Sequence, residues 1–179
     1  VTVPTPGEVV AFWRAAGPAK WFARDDVFDA ELRARFEAAH FAAGRREFED
    51  WMTSAEGALA LLILLDQVPR NIFRNSGHAY ACDSLALHYA SRLVDAGFDI
   101  EVDPALRVFC YLPFEHSEDL ADQERCVELS RALDAETLKY AVAHRDVIAE
   151  FGRFPHRNRA LGRVSTEAEV AWLEAGGGF

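Results

Sequence analysis

Apolar positions along the chain recur at intervals of three and four, and no stretch alternates with period two for long enough to predict a strand. Thr5-Pro6-Gly7-Glu8 has capping-box residues at both ends and proline at the first helical position, and Val9, Phe12, Trp13 and Ala16 follow on one face. That helix should end at Gly17-Pro18. A second, starting at Asp25 or Asp26, puts Phe28, Leu32, Phe36 and Ala39 in register and stops at Gly44. After a short turn bearing Phe48 and Trp51, Thr53-Ser54-Ala55-Glu56 reads as another capping box and launches the run Ala58 to Leu65, apolar around its whole circumference. A helix with no polar side has to be surrounded by other helices, so this one is predicted to be the centre of the core, ended by Pro69 and followed by a polar loop from Arg70 to Gly77.

Further helices are predicted from His78 to Ala96, closed by Gly97, and from Asp103-Pro104 to Leu112, stopped by Pro113. Others start at a Ser117 cap, run from Asp134 to Gly152, and open at Ser165 or Thr166 to carry Val170, Trp172 and Leu173. The expected fold is all-α: one domain over residues 1–179, eight or nine helices packed as antiparallel hairpins, no sheet and no regular repeat.

Composition narrows the function classes. A chain of 179 residues buries roughly 70 % of its unfolded surface without disulfides or a structural metal. The formal charge of −10 argues against a nucleic-acid or anionic-membrane surface, because both draw their affinity from basic patches. Among the cations only Lys20 and Lys139 are lysines; the others are arginines, whose planar fork pairs carboxylates and phosphates and tolerates partial burial. Cys82, Cys110 and Cys126 are odd in number, lack metal-ligand spacing and fall on apolar helical stripes, as core thiols of a reducing compartment would. No stretch reaches the ~18–20 apolar residues of a membrane span, and no signal-peptide pattern opens the sequence, so a cytoplasmic location is expected.

Three polar segments interrupt the helices: Asp66-Gln67-Val68-Pro69-Arg70-Asn71-Ile72-Phe73-Arg74; Leu112-Pro113-Phe114-Glu115-His116-Ser117-Glu118-Asp119; and Phe151-Gly152-Arg153-Phe154-Pro155-His156-Arg157-Asn158, continuing through Leu161-Gly162-Arg163. These strings closely resemble the motifs of the domain of unknown function 924 family, and the resemblance runs from about Val9 to Leu173. It implies a tetratricopeptide-like all-helical fold; it carries over no catalytic residue.

The chemistry is read from the residues themselves. Asp66 closes the apolar helix near its C-terminus, where the dipole disfavours an acid, so a cation should meet it; Arg70, folding back from the loop, is the candidate. Glu115 to Glu124 holds five acids and no Lys or Arg, while Phe151 to Arg163 holds four arginines and His156 but no acid, so the two runs are expected to face one another. One explanation is a structural lattice of Arg–carboxylate pairs fixing helix ends. The other is a pocket for a small anionic ligand, with Arg70, Arg74, Arg153, Arg157 and Arg163 as contacts and Asp66, Asn71, Glu115, Glu118 and Asn158 around them. His116 and His156 are then the candidate catalytic acid–base groups.

A metal site of Glu115, His116, Glu118, Asp119 and His144 has suitable ligand types but no His-x-x-x-His or Glu-x-x-His pair, and His144 lies on the stripe of Ala141, Ile148 and Phe151, as a hydrogen-bonded core histidine would. No metal or cofactor is expected. Nucleophile elbows and phosphate-binding glycine loops are absent, Gly176-Gly177-Gly178 reads as a tail, and the arginines around Phe154 lack the aromatic neighbours of an RNA surface. A helical scaffold that binds a peptide or protein partner is the alternative to the ligand pocket.

Overall fold

The computed structural model describes residues 3–179, and every regular element among them is helical. The helices are α1 Pro6–Ala16, α2 Pro18–Trp21, α3 Asp26–Gly44, α4 Ala55–Leu62, α5 Val68–Ile72, α6 Asp83–Asp95, α7 Val108–Glu115, α8 Leu120–Ser130, α9 Ala135–Phe151 and α10 Glu167–Glu174, with short 3-10 turns between them. Contacts divide the described residues into two compact units. Unit 1 holds the residues up to Arg74 and His78–Pro113; unit 2 holds Asn75–Gly77 and Phe114–Phe179.

In unit 1 the apolar run from Ala58 to Leu65 is buried along its full length. It packs against α1, α3 and α6, as a helix without a polar face requires. Trp13 completes this core, meeting Phe28 and Phe109 at ring-centroid separations of 6.0 and 5.5 Å. The Thr5–Glu8 capping box forms as expected, Asp25 caps α3 through Val27 N and Phe28 N, and Ser54, not Thr53, accepts the Gly57 N–H that starts α4.

Pro69 does not end the central helix. Ile63–Gln67 winds as a π turn between α4 and α5, with the Val68 N–H donating to Ile63 O rather than to Leu64 O. In that register the carbonyl of Leu64 would accept from residue 69, and proline has no N–H to give. The buried His40 fills the gap: its Nδ1 lies 2.8 Å from Leu64 O. A carbonyl only accepts, so Nδ1 is the protonated nitrogen, and Nε2 accepts from His78 Nε2 at 3.1 Å. Burial lowers the His40 pKa against the Leu64 hydrogen bond, which keeps the ring neutral and suited to this relay. Further on, α6 begins at Asp83 after a 3-10 turn at Gly77–Tyr80, so the long helix predicted from His78 is shorter at its start.

In unit 2, α8 and α9 are joined by residues 131–134 and pack on each other. Asp134 caps α9, and Gly152 closes it in the left-handed region at φ 69°. Val147, Ile148 and Phe154 form a buried cluster with Phe151 and Trp172 against it. Pro113 is accommodated inside α7, which continues to Glu115. The exposed carbonyls at that helix end are covered by the buried Gln123, whose Nε2 donates to Glu115 O at 2.6 Å and to Ser117 O at 2.7 Å. Asp119, rather than Ser117, caps α8 by accepting from Ala121 N; Ser117 Oγ accepts from Asp119 N and donates to Asp122. Thr166 and Glu169 form the capping box of α10.

Candidate functional site

The first polar segment belongs to unit 1, the third to unit 2, and the second passes from unit 1 into unit 2 after Pro113. In unit 1, Arg70 does turn back on Asp66, but from within α5 rather than from a loop. Its Nη1 lies 3.0 Å from Asp66 Oδ1 and donates to Asp66 O at 2.9 Å. The same guanidinium grips Asp83 in a fork, Nη1 to Oδ1 and Nη2 to Oδ2, both at 2.9 Å. Gln67 Nε2 donates to the second Asp66 oxygen at 2.6 Å. Burial works to lower the Arg70 pKa, yet the Asp66 and Asp83 carboxylates carry it above its ordinary value. Asn71 and Arg74 both reach Asp29 of α3, Asn71 Nδ2 at 2.9 Å and Arg74 Nε at 2.5 Å. Neither Asp83 nor Asp29 lay in the segments singled out from sequence.

In unit 2 the acidic and basic runs do meet. Arg163 forks onto Glu118 at 2.7 and 2.9 Å and takes Asn158 Oδ1 with its Nε at 2.8 Å; Glu118 also accepts the Phe154 N–H at 2.7 Å. Burial tends to raise the Glu118 pKa, but these donors and the nearby Arg157 charge hold it below the usual range. Arg153 forks onto Glu169 at 2.6 and 2.8 Å and donates to Val164 O. Glu169, 2 % exposed, is held down to about 2, first by Arg153 and then by the Thr166 N–H. Asn158 Nδ2 adds a bond to Ser165 Oγ at 3.0 Å.

Beside this lattice lies a second group. His144 is buried, and its Nδ1 donates to Tyr140 O at 2.8 Å, which leaves Nε2 as the nitrogen with a lone pair. Glu115 Oε1 is 3.4 Å from the same Nδ1, and Cys126 Sγ is 3.9 Å from Glu115 Oε2. Burial drives the His144 pKa down to about 3, against the Tyr140 hydrogen bond; His116, His156 and Arg157 push it the same way as burial. His116 stands 6.5 Å from His144 between ring centroids. His156 lies 5.6 Å from Phe154, and the buried Arg157 guanidinium covers that phenyl ring at 4.4 Å. Burial likewise pushes the Cys126 thiol up to about 12, leaving no thiolate for nucleophilic work.

The residues weighed as metal ligands are otherwise engaged: Glu118 by Arg163, Asp119 as a cap, and His144 Nδ1 by a carbonyl. Among the described residues no group of three or more His, Cys, Asp or Glu side chains is placed to hold a metal ion.

Over residues 9–177 the chain matches the family described as bacterial protein of unknown function (DUF924). It belongs to that family. A solved structure of a protein of unknown function from Agrobacterium tumefaciens is similar at 48 % identity with a TM-score of 0.93, covering 95 % of this chain and 97 % of that one. No curated protein matches. The family therefore supplies a fold and leaves the chemistry to be argued from the side chains. No helix among the described residues is long and apolar enough to cross a membrane.

Proposed function

We propose that the protein binds a small anionic ligand in unit 2, at the cluster of His116, His144, His156 and Arg157. The observation that carries this reading is the gathering of three imidazoles and one guanidinium around the buried His144 and Phe154 rings, with Glu115 on the Nδ1 side of His144, in a chain whose formal charge is −10. Cationic and polarisable donors concentrated in an acidic protein favour an anion by Coulomb attraction, and the low dielectric of a buried site strengthens it. The neutral His144 offers a lone pair for the protonated oxygen of an acid phosphate or carboxylic acid, and His116 and His156 are the candidate acid–base groups beside it.

Arg70, Arg74, Arg153 and Arg163 have a different part. Each holds a carboxylate and acts as a post that fixes a helix end. Asp66 is the counterpart of Arg70, and Glu118 and Asn158 are those of Arg163; Asn71 shares Asp29 with Arg74, and Glu115 stands beside His144.

The packed pair α8 and α9 supports a tetratricopeptide-like arrangement, in which a peptide or protein partner is the alternative occupant. Free thiols at Cys82, Cys110 and Cys126 support a cytoplasmic location, and the net charge weighs against nucleic acid and anionic membranes as partners.

A thermal-shift series with phosphates and carboxylates tests the proposal. A ligand present at 100 times its dissociation constant stabilises by about 2.7 kcal/mol, and that gain should disappear in His156→Asn and in Arg157→Gln. Folded variants that keep the full response overturn the assignment.

A further inference from the structure

The segment after α10 gives this cluster an occupant. Gly176 and Gly178 sit at φ 90° and 135°, where side chains are strained, and a Cβ on Gly177 would lie 2.3 Å from the Trp172 ring. The Gly177 N–H donates to Trp172 O at 2.9 Å. All three glycines are therefore required by the path of the backbone. That path lays Phe179 flat on His144, with ring centroids 3.6 Å apart and planes inclined by 16°. The same phenyl meets Phe154 edge-on at 6.2 Å and 89°, and His156 at 5.9 Å and 78°.

Three rings thus surround the Phe179 phenyl on one side, yet Phe179 remains 52 % exposed. A residue placed only to fill a core would be covered. Ring contacts of this kind shift an equilibrium by about two- to tenfold, enough to seat a strap and little enough for a ligand to displace it. The phenyl ring of Phe154, one of these three, is also the ring under the Arg157 guanidinium. The Arg157 charge acts on His144, so a planar group stacked on that imidazole lies within the field of the cation.

We propose that Phe179 occupies the place of a planar ring of the ligand, so that the site takes an aromatic anion and residues 176–179 form a strap that lifts to admit it. This rests on the anion site proposed above. The test titrates phenyl phosphate and inorganic phosphate by calorimetry into the full chain and into Phe179→Ala, with the imidazole resonances followed by NMR.

Three results are expected together. The His144 resonances shift on substitution as the stacked ring current is lost, phenyl phosphate binds Phe179→Ala about two- to tenfold tighter than the parent, and inorganic phosphate binds both equally. Phe179→Trp should behave as the parent. Equal binding of phenyl phosphate by parent and Phe179→Ala, with phosphate still bound, overturns the strap and leaves the anion site standing. Unmoved His144 resonances also overturn it. Failure of both probes to bind either protein removes the anion site, and this inference with it.

Discussion

Unit 1 holds the half-buried Arg70 and unit 2 the buried Arg157, and the side chains around the two differ. Arg70 stands between the carboxylates of Asp66 and Asp83, with hydrogen bonds to both and a backbone carbonyl besides. Arg157 lies face-on to Phe154, in the company of imidazoles whose charges act on His144. The first setting answers charge with charge and gives a fixed post. The second adds aromatic and imidazole rings to a cation whose charge also acts on Glu118. Burial of a cation therefore does not by itself mark a site; the chemistry of its neighbours does.

The largest effect should come from breaking the first setting. Asp83→Ala takes the forked carboxylate from the half-buried Arg70, which keeps Asp66, and is expected to cost about 1.5–3 kcal/mol in urea denaturation, almost independently of pH between 6 and 9 because arginine does not titrate there. The second setting should be pH-sensitive instead. His144 is neutral in the fold until its pKa of about 3, whereas the unfolded chain takes up that proton near 6.5, so stability falls as pH drops through this window. The slope attributable to one such proton is at most about 1.4 kcal/mol per pH unit, and His144→Gln should remove it from the stability–pH curve.

Glu169→Gln probes the lattice in unit 2. Its carboxylate is depressed from 4.5 to about 2, so the interaction with Arg153 is complete above about pH 4.5 and is lost as pH falls towards 2. The variant should melt below the parent at pH 7, with a gap that narrows on acidification. Least of all is expected of Arg24→Ala, which removes an exposed pair with Asp26: a change within about 0.5 kcal/mol. A large loss there would blur the contrast between buried and solvated pairs.

How far the sequence could be read depended on how local the cause was. Caps and stops involve residues a few positions apart, so Thr5, Asp25, Asp134 and Thr166, with Gly97 and Gly152 as left-handed closures, were legible. So was the burial of Ala58 to Leu65, which follows from circumference alone. Pro69 misled because the carbonyl that its missing N–H leaves open is met by His40, distant in sequence, within a π turn; Pro113 misled because α7 carries it inside the helix.

Charge runs announced that the acidic and basic segments of unit 2 would pair, and Glu118 with Arg163 does so. They could not identify Glu169, whose capping-box role hid its second partnership with Arg153. His144 was legible as a hydrogen-bonded core histidine and is one, whereas helical spacing says nothing of Phe179 arriving on its face. Asp29 and Asp83 were invisible for the same reason: each meets its arginine through tertiary packing.

The π turn at Ile63–Gln67 sets the rotational phase of everything after it. Each residue of an α-helix advances the side-chain direction by about 100°. Removing one residue from this turn would restore even winding at the expense of aim, swinging Asn71 and Arg74 away from the aspartate on α3 that now receives them. The irregular winding thus works as a keyed joint: the helix can be made smoother only by pointing its far end at the wrong neighbour.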